Sequence, residues 1–166
     1  MNDASYKDWG WQSAAFGSAH VHLLPSLLAM LGRPRGPVLD VGCGNGAIAR
    51  ALIAQGYDVY GVDASESGVA IANAQVPDHF FVLDVTSGAL PAALAGRRFD
   101  VVISTEVIEH LYDPRSFIDF ARRHLAGDGE FILSTPYHGY LKNLVMALTG
   151  KLDDHFNVLI VDLHPL

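Results

Sequence analysis

The 166-residue chain has a single cysteine, Cys43, and no long uninterrupted apolar run. One cysteine excludes an internal disulfide, which is typical of proteins from reducing compartments. No stretch reaches the roughly 20 apolar residues that a membrane span needs, and the N-terminus lacks a signal-peptide layout. Charged residues make up only 17% of the chain and half of it is hydrophobic, which excludes a disordered protein. We therefore expect one folded, soluble, cytoplasmic domain.

Positive charge is also scarce. Lys and Arg together number 11 against 18 Asp and Glu, so the formal net charge is −7. A negative surface field disfavours nucleic acid and anionic membranes as partners. The sequence therefore directs attention to a small-molecule site.

The most informative stretch of the chain is rich in glycine. Val38–Val41 is apolar apart from Asp40 and predicts a buried strand, after which Gly42, Gly44 and Gly46 predict a tight turn. A helical pattern over 47–55 follows. Glycines let the backbone approach a ligand closely, and a helix N-terminus offers unpaired N–H groups. The stretch therefore predicts a ligand-binding turn between a strand and a helix, although a purely steric need for glycine is the alternative.

Two cofactor classes fit such a turn. Gly42, Gly44 and Ala47 satisfy the loose dinucleotide pattern G-x-G-x-x-G/A, which keeps a nicotinamide-dependent oxidoreductase open as an alternative. Asp40 separates the two classes, because a carboxylate at the strand end would repel a pyrophosphate. It suits a ligand with positive charge, such as the ammonium and sulfonium of S-adenosylmethionine.

Residues 38–46, Val-Leu-Asp-Val-Gly-Cys-Gly-Asn-Gly, resemble the first motif of class I S-adenosylmethionine-dependent methyltransferases. The resemblance implies a Rossmann-like α/β fold. Strands that alternate with helical patterns independently predict a doubly wound, mainly parallel sheet with helices on both faces. The resemblance further implies that the methionine part of the cofactor is held by the turn: Asp40, Gly42, Cys43, Gly44, Asn45 and Gly46. Cys43 is also interpreted as a small buried packing residue.

Acidic residues follow the next two predicted strands. The strand over 57–62 ends at Asp63, about twenty positions past the glycines, where ribose recognition requires a carboxylate. Ala64 and Ser65, which follow, are predicted to bind the cofactor as well. In the alternative interpretation Asp63 is a helix N-cap, a role that Ser65 could also fill, and both roles can hold at once. After the strand over 79–83, the resemblance implies that Asp84 and Val85 bind the adenine.

The fourth predicted strand, over 99–104, ends at Thr105 and Glu106, which the resemblance places beside the sulfonium. Parallel strands bring their carboxyl ends to one edge of the sheet, where ligands bind at the switch in strand order. We therefore expect Asp40, Asp63 and Asp84 to gather with this pair at one site.

A second group of polar residues lies just beyond that strand. If the segment is helical, Glu106, Glu109 and His110 share one face, and two carboxylates with an imidazole can hold a divalent metal such as Mg²⁺. His138 or His155 would supply a fourth ligand. The pattern E-x-x-E-H resembles ubiquinone-pathway O-methyltransferases and methyltransferases of small-RNA ribose. In one alternative the two glutamates stabilise a helix N-terminus, and His110 is packed or solvated. In another, His110 acts in the active site without metal.

The predicted reaction is O-methylation of a small hydroxylated acceptor. His110 would serve as general base and Glu106 would lie beside it in the active site. Ser-Thr-Pro-Tyr at 134–137 is similar to the Pro-Pro-Tyr motif of amino-methylating enzymes. That motif follows the fourth strand, whereas this stretch ends the fifth and has only one proline, so the sequence does not favour a nucleic-acid amino-methyltransferase. Residues 135–140 are instead predicted to line the acceptor pocket.

The N-terminal region is predicted to cover the cofactor. Tyr6, Trp9 and Trp11 would form an aromatic lid, or alternatively pack on a core edge. A helical stripe over 21–31 follows, which Pro25 would kink or divide into two helices. His20 and His22 are interpreted as partly buried helix residues.

These predictions divide the single domain 1–166 into three parts. Residues 1–35 form a helical lid, 36–135 the cofactor-binding core and 136–166 a partial acceptor region. The resembling family continues with more helix and two further strands, so we expect the C-terminal strands to be missing or altered. The strand over 130–134 would then leave an open edge for a homo-oligomer. A module that binds cofactor without turnover is the alternative.

Overall fold

The computed structural model of the chain describes residues 10–85, 88–136, 144, 148 and 149. The chain divides into two units, Met1–Thr135 and Pro136–Leu166, and all elements named below lie in the first. In chain order they are α1 (Ser18–Leu31), β1 (Val38–Val41), α2 (Ala47–Ala54), β2 (Val59–Asp63), α3 (Glu66–Gln75), β3 (Phe80–Val82), β4 (Phe99–Thr105), α4 (Pro114–His124) and β5 (Leu125–Ser134).

The five strands form one parallel sheet in the order β3-β2-β1-β4-β5. The chain builds outward from β1 to β3 and then crosses back, so that β4 lies beside β1. This reversal is the switch point at which open α/β sheets bind ligands. The glycine turn after β1 and the end of β4 therefore face the same crevice.

Alternate residues of the central strands enter two different cores. Val38 of β1 packs with side chains from α1, α2 and α3, whereas Leu39 and Val41 pack with Phe117 and Phe120 of α4. Every residue of β1 is buried, as expected of a parallel strand that is covered on both faces. The predicted doubly wound α/β fold with helices on both faces is confirmed.

Local capping groups set where two helices begin. The Ser65 hydroxyl accepts a hydrogen bond from the Gly68 amide and caps α3. Asp113 caps α4 by accepting from the amides of Arg115 and Ser116, and Pro114 follows at the first helical position. Hydrogen bonds from the side chain and then the amide of Ser116 hold the pKa of Asp113 below its ordinary value.

Helix α1 runs through Pro25 as one helix rather than dividing into two. Pro25 removes the hydrogen bond to the Val21 carbonyl, but both residues are exposed, so water can take that place. Among the described residues no helix is long and apolar enough to cross a membrane. The sequence also predicts a helix over 140–148, which lies largely outside the described residues.

Strand β5 begins five residues earlier than the sequence predicts. Phe99 pairs with Leu125 and Val101 pairs with Glu130, so the intervening residues of β5 form an irregularity in the ladder. Gly129 lies there, and a Cβ on it would come within 3.0 Å of the Phe99 carbonyl oxygen. Gly129 thus allows a close approach of the β5 backbone to β4. In the described sheet β5 is an edge strand; pairing with a second copy remains a prediction.

Candidate active site

A cavity of about 470 Å³ opens at the carboxyl ends of β1, β2 and β4. It gathers most of the side chains predicted from the strand ends. The predicted residues that line it are Asp40, Gly42, Cys43, Gly44, Asp63, Ala64, Asp84, Val85, Thr105, Glu106 and His110. The parallel topology therefore produces the juxtaposition that the strand-end pattern predicts.

The turn after β1 requires glycine at all three positions. Gly42, Gly44 and Gly46 have φ values of +81°, +52° and +71°, which L side chains rarely adopt. Gly42 faces the cavity wall, where a Cβ would lie 2.3 Å from Val107 Cγ2. Gly46 faces the core, where a Cβ would lie 2.7 Å from the Cβ of Ala72. Gly46 therefore shapes the turn and does not line the cavity, and its predicted contact with the cofactor stays a prediction.

Asp63 fixes the turn to the end of β2. Its Oδ2 accepts a 2.7 Å hydrogen bond from the Gly44 amide, and its Oδ1 accepts one of 2.7 Å from the Ser65 amide. The carboxylate also lines the cavity. Ser65 is fully buried as the cap of α3 and does not line the cavity; its predicted contact with the cofactor stays a prediction.

Asp40 is the most unusual group in the cavity. Its side chain is only 1% exposed, and neither carboxylate oxygen has a hydrogen-bond partner among the described residues. Burial, and next the charge of Asp63, raise the pKa of Asp40 to about 7. An unpaired buried carboxylate destabilises a fold unless a cation or donor neutralises it. The cavity is therefore suited to a ligand that brings positive charge to β1.

Cys43 lines the cavity as a neutral thiol. Burial is the main cause that raises the pKa of its thiol well above the ordinary value, and the charges of Asp40 and Asp63 act in the same direction. Its sulfur packs against Gly61, where a Cβ would lie 2.8 Å away. These surroundings favour the packing role over a reactive thiolate.

Asn45 ties the N-terminal segment to the turn instead of lining the cavity. Its Nδ2 donates to the carbonyls of Ser13 and Ala15 at 2.9 and 3.1 Å, and its Oδ1 accepts from the Ala47 amide at 3.2 Å. The guanidinium of Arg50 adds a hydrogen bond to the same segment, at the carbonyl of Ala14. Asn45 therefore has a structural role in the described residues, and its predicted contact with the cofactor stays a prediction.

Replacing Asn45 with alanine should release this segment. The change leaves two carbonyls and one amide without their partner, so the free energy of unfolding should fall by about 1–3 kcal/mol. Limited proteolysis should cut near 13–15 faster than in the wild type. Asn73→Ala is the matched control, because Asn73 bonds the backbone of Phe80 instead. Equal cleavage rates in the two variants would contradict this role.

Trp11 is the member of the predicted aromatic lid that the structure describes, and it lines the cavity. Its amide donates to the Ser67 hydroxyl at 3.1 Å, and its ring packs on Gly44 and Gly68. Tyr6 and Trp9 lie outside the described residues.

His20 also lines the cavity, which the sequence interpretation missed. Its Nδ1 accepts from the Gly17 amide at 3.2 Å, so the neutral ring carries its proton on Nε2. Burial lowers the pKa of His20 and favours this neutral form. The sequence signal for this contact was the spacing of Gly17 and His20, which suits an N-cap and the third residue of a helix that bond each other.

The segment after β4 differs from the predicted helix. Glu106 has a φ of +57°, and only Ile108–His110 forms a 3-10 turn. Ser134 Oγ donates to Glu106 Oε1 at 2.9 Å, and Thr135 Oγ1 donates to Glu109 Oε2 at 3.3 Å. These contacts with the end of β5 hold the two glutamates in place.

The metal site built on Glu106, Glu109 and His110 does not form in the described part of the chain. No group of three His, Cys, Asp or Glu side chains is arranged there to hold a metal ion. The prediction assumed a continuous helix with one shared face, and the left-handed backbone at Glu106 ends that periodicity. His138 and His155 lie outside the described residues.

The rest of the cavity wall is mainly apolar and was not predicted. These residues come from α2, from the segment after β3, from the segment between β4 and α4, and from α4 itself: Ile48, Leu83, Val107, Leu111, Tyr112, Asp113 and Phe117. Apolar residues in connecting segments carry no sequence pattern that separates a cavity wall from core.

Another groove, of about 720 Å³, lies along α4 and shares only Val85 with the predicted site. Its other lining residues are Gly88, Ser116, Asp119, Arg122 and Arg123. It gathers none of the remaining strand-end residues, so the cavity at the switch point is the candidate active site.

Comparison with known proteins agrees with this geometry. A family model described as a methyltransferase domain matches residues 12–159. A ubiquinone biosynthesis O-methyltransferase of Cereibacter sphaeroides is 33% identical over 114 residues, which cover 68% of this chain and 46% of that protein. The corresponding protein of Rickettsia canadensis is 36% identical over 98 residues, covering 59% and 42%. The chain thus spans somewhat less than half the length of these curated relatives.

Solved structures show the same relationship. Magnesium protoporphyrin IX methyltransferase from Synechocystis, solved with bound S-adenosylhomocysteine, has a TM-score of 0.63 and 25% identity, covering 80% of this chain and 63% of that one. The family model covers most of the chain, and the sheet and switch-point cavity agree with it. The chain therefore belongs to the methyltransferase-domain family, within the class I S-adenosylmethionine-dependent methyltransferases.

Proposed function

We propose that this chain binds S-adenosylmethionine in the switch-point cavity and methylates a hydroxyl group of a small acceptor. The observation that carries the proposal is Asp40, a buried carboxylate without a partner among the described residues, at the floor of a glycine turn. The ammonium of the cofactor would be the positively charged partner that this carboxylate lacks among the described residues. A pyrophosphate at the same place would be repelled, which disfavours a nicotinamide cofactor.

The other strand ends offer contacts for the nucleoside. The amides of Gly44 and Ser65 donate to Asp63 and fix its carboxylate at the cavity, where the ribose hydroxyls would donate to it. Asp84 and Val85 line the cavity next to β3, where the adenine amino group and ring nitrogen would bind. The nucleoside would thus lie across the ends of β2 and β3.

The reacting groups would meet at the end of β4. When bound, the cofactor supplies a sulfonium methyl group that a nucleophile attacks in line. Thr105 and Glu106 line the cavity there, and the bonds of Glu106 to Ser134 fix its position. His110 accepts the proton that the acceptor hydroxyl loses as the oxygen–methyl bond forms and the carbon–sulfur bond breaks.

The choice of oxygen as the acceptor atom is supported by the relatives. The 33% identical protein of Cereibacter sphaeroides carries the name of an O-methyltransferase. Incubating the chain with methyl-labelled S-adenosylmethionine and a panel of small phenols, catechols and amines tests this choice. Label should appear on the hydroxylated compounds. Transfer to amines alone would overturn the O-methylation proposal and leave cofactor binding intact.

Replacing His110 with alanine should slow turnover by about 10²–10⁴-fold, because general-base catalysis contributes a factor of this size. Calorimetric affinity for S-adenosylhomocysteine should change little, since the proton transfer concerns the acceptor. His79→Ala is the matched control, because His79 stacks on Tyr60 and bonds the Val59 carbonyl outside the cavity. Turnover at the wild-type rate in His110→Ala would contradict the assignment.

A further inference from the structure

Two polar groups of opposite character lack partners in the same cavity. Among the described residues, the Asp40 carboxylate and the indole Nε1–H of Trp11 are both buried without a hydrogen bond. The ionised carboxylate can only accept hydrogen bonds, and the indole N–H can only donate them. Buried polar groups without partners are rare in folded proteins, so a pair in one cavity calls for a ligand that satisfies both.

The position of the Trp11 ring is set by its neighbours. Its Cδ1 lies 2.9 Å from the place that a Cβ on Gly68 would take, and its Cε2 lies 3.2 Å from the corresponding place on Gly44. Nε1 joins these two ring atoms, so the N–H lies where Gly44 meets Gly68, beside the glycine turn. The hydrogen bond from the Trp11 amide to the Ser67 hydroxyl and the bond from Asn45 to the Ser13 carbonyl fix the backbone of this segment.

The cavity also lacks a cationic partner for an anionic group. Of the described residues that line it, none is lysine or arginine. The amino-acid end of S-adenosylmethionine carries a carboxylate beside its ammonium. A carboxylate that enters this cavity must therefore be bound by neutral donors such as amides, an imidazole or an indole.

We propose that the Nε1–H of Trp11 binds the α-carboxylate of the cofactor while Asp40 binds its ammonium. The inference rests on the proposed function, because it assigns a further binding residue to the same cofactor. Asp40 and Trp11 together recognise a zwitterion: the first accepts from the ammonium, and the second donates to the carboxylate.

The test compares two ligands by calorimetry. S-adenosylhomocysteine has both charged groups, whereas its decarboxylated analogue keeps the adenosine, the sulfur and the ammonium. Trp11→Phe retains an aromatic ring but removes the N–H. We expect this variant to bind S-adenosylhomocysteine about tenfold or more weakly, as for a lost hydrogen bond to a charged group, and the analogue within about twofold of wild type.

Controls separate the outcomes. Asp40→Asn should weaken both ligands, and Tyr57→Phe, which removes a donor to the Gly32 carbonyl outside the cavity, should weaken neither. Equal losses for both ligands in Trp11→Phe would show that the indole acts by packing and would overturn the proposal. Tighter binding would overturn it too, since Trp11 would then occupy the ligand's place. A folded wild type that binds neither ligand would refute the proposed function itself.

A second measurement uses the unaltered chain. In protein labelled with ¹⁵N-tryptophan, the indole N–H resonance of Trp11 should move downfield and exchange more slowly with S-adenosylhomocysteine than with the analogue. Identical responses to the two ligands would overturn the proposal, even if Trp11→Phe fails to fold.

Discussion

Asparagine in place of Asp40 should greatly weaken binding of S-adenosylhomocysteine and, at the same time, stabilise the free protein above pH 7. The carboxylate is 1% exposed and has no hydrogen-bond partner among the described residues. Its negative charge therefore destabilises the folded protein, and its role is to bind the ammonium of the ligand. Such a trade between stability and function is common at binding sites. We expect affinity to fall by about 100-fold or more, as for loss of a buried charged partner.

The sign of the stability effect follows from proton linkage. The pKa of Asp40 rises from 3.8 in the unfolded chain to about 7 in the folded protein. The folded state thus holds a proton that the unfolded chain releases, so the free energy of unfolding falls as pH rises through this interval. The difference corresponds to roughly 4 kcal/mol at most, and asparagine removes it.

Urea unfolding of wild type and Asp40→Asn at several pH values measures this effect. The advantage of the variant should be small near pH 4 and grow up to about pH 8, as the wild type loses its proton. Asp58→Asn is the matched control, because Asp58 is exposed. An Asp40→Asn protein that is less stable at pH 8, or that binds the ligand like wild type, would contradict the role given to Asp40.

Gly42→Ala should destroy the turn. The residue has a φ of +81°, and a Cβ there would lie 2.3 Å from Val107 Cγ2. Strained backbone and overpacking each cost about 1–3 kcal/mol, so the free energy of unfolding should fall by about 2–6 kcal/mol. Binding of S-adenosylhomocysteine should be lost, because the turn forms the floor of the cavity.

Two further variants separate the strain from the clash. Gly56 has a φ of +90° with nothing within 4 Å of its Cβ position, so Gly56→Ala measures strain alone. Adding Val107→Ala to Gly42→Ala removes the clashing side chain and should restore part of the stability. If the free energy of unfolding were the same for Gly42→Ala and Gly56→Ala, the contact with Val107 would contribute nothing to the loss of stability.

The strand ends could be predicted because their signals are local or topological. Val38–Val41 is a short apolar run, and the three glycines after it need no distant contact to be recognised. Parallel pairing then brings the end of β2, with Asp63, to the same edge as Asp40. The fold class and the gathering of the acidic residues follow from these two facts.

The segment after β4 could not be predicted because distant residues determine it. Glu106 and Glu109 bond Ser134 and Thr135, which lie 28 and 26 residues further along the chain. Those contacts replace the helix that the local spacing favours. The bonds of Asn45 to the N-terminal segment could not be predicted for a similar reason, since its partners precede it by 30 residues or more. In both places, hydrogen bonds between residues far apart in the sequence determine the local structure.

The most direct test of the account is the affinity of the unaltered chain for S-adenosylhomocysteine between pH 6 and 8. The ammonium needs an ionised Asp40, and the pKa of that carboxyl is raised to about 7. Affinity should be constant at the upper end and fall toward about tenfold per pH unit below pH 7. Binding that does not depend on pH, or no binding by the folded protein, would contradict the claim that Asp40 receives the charged end of the cofactor.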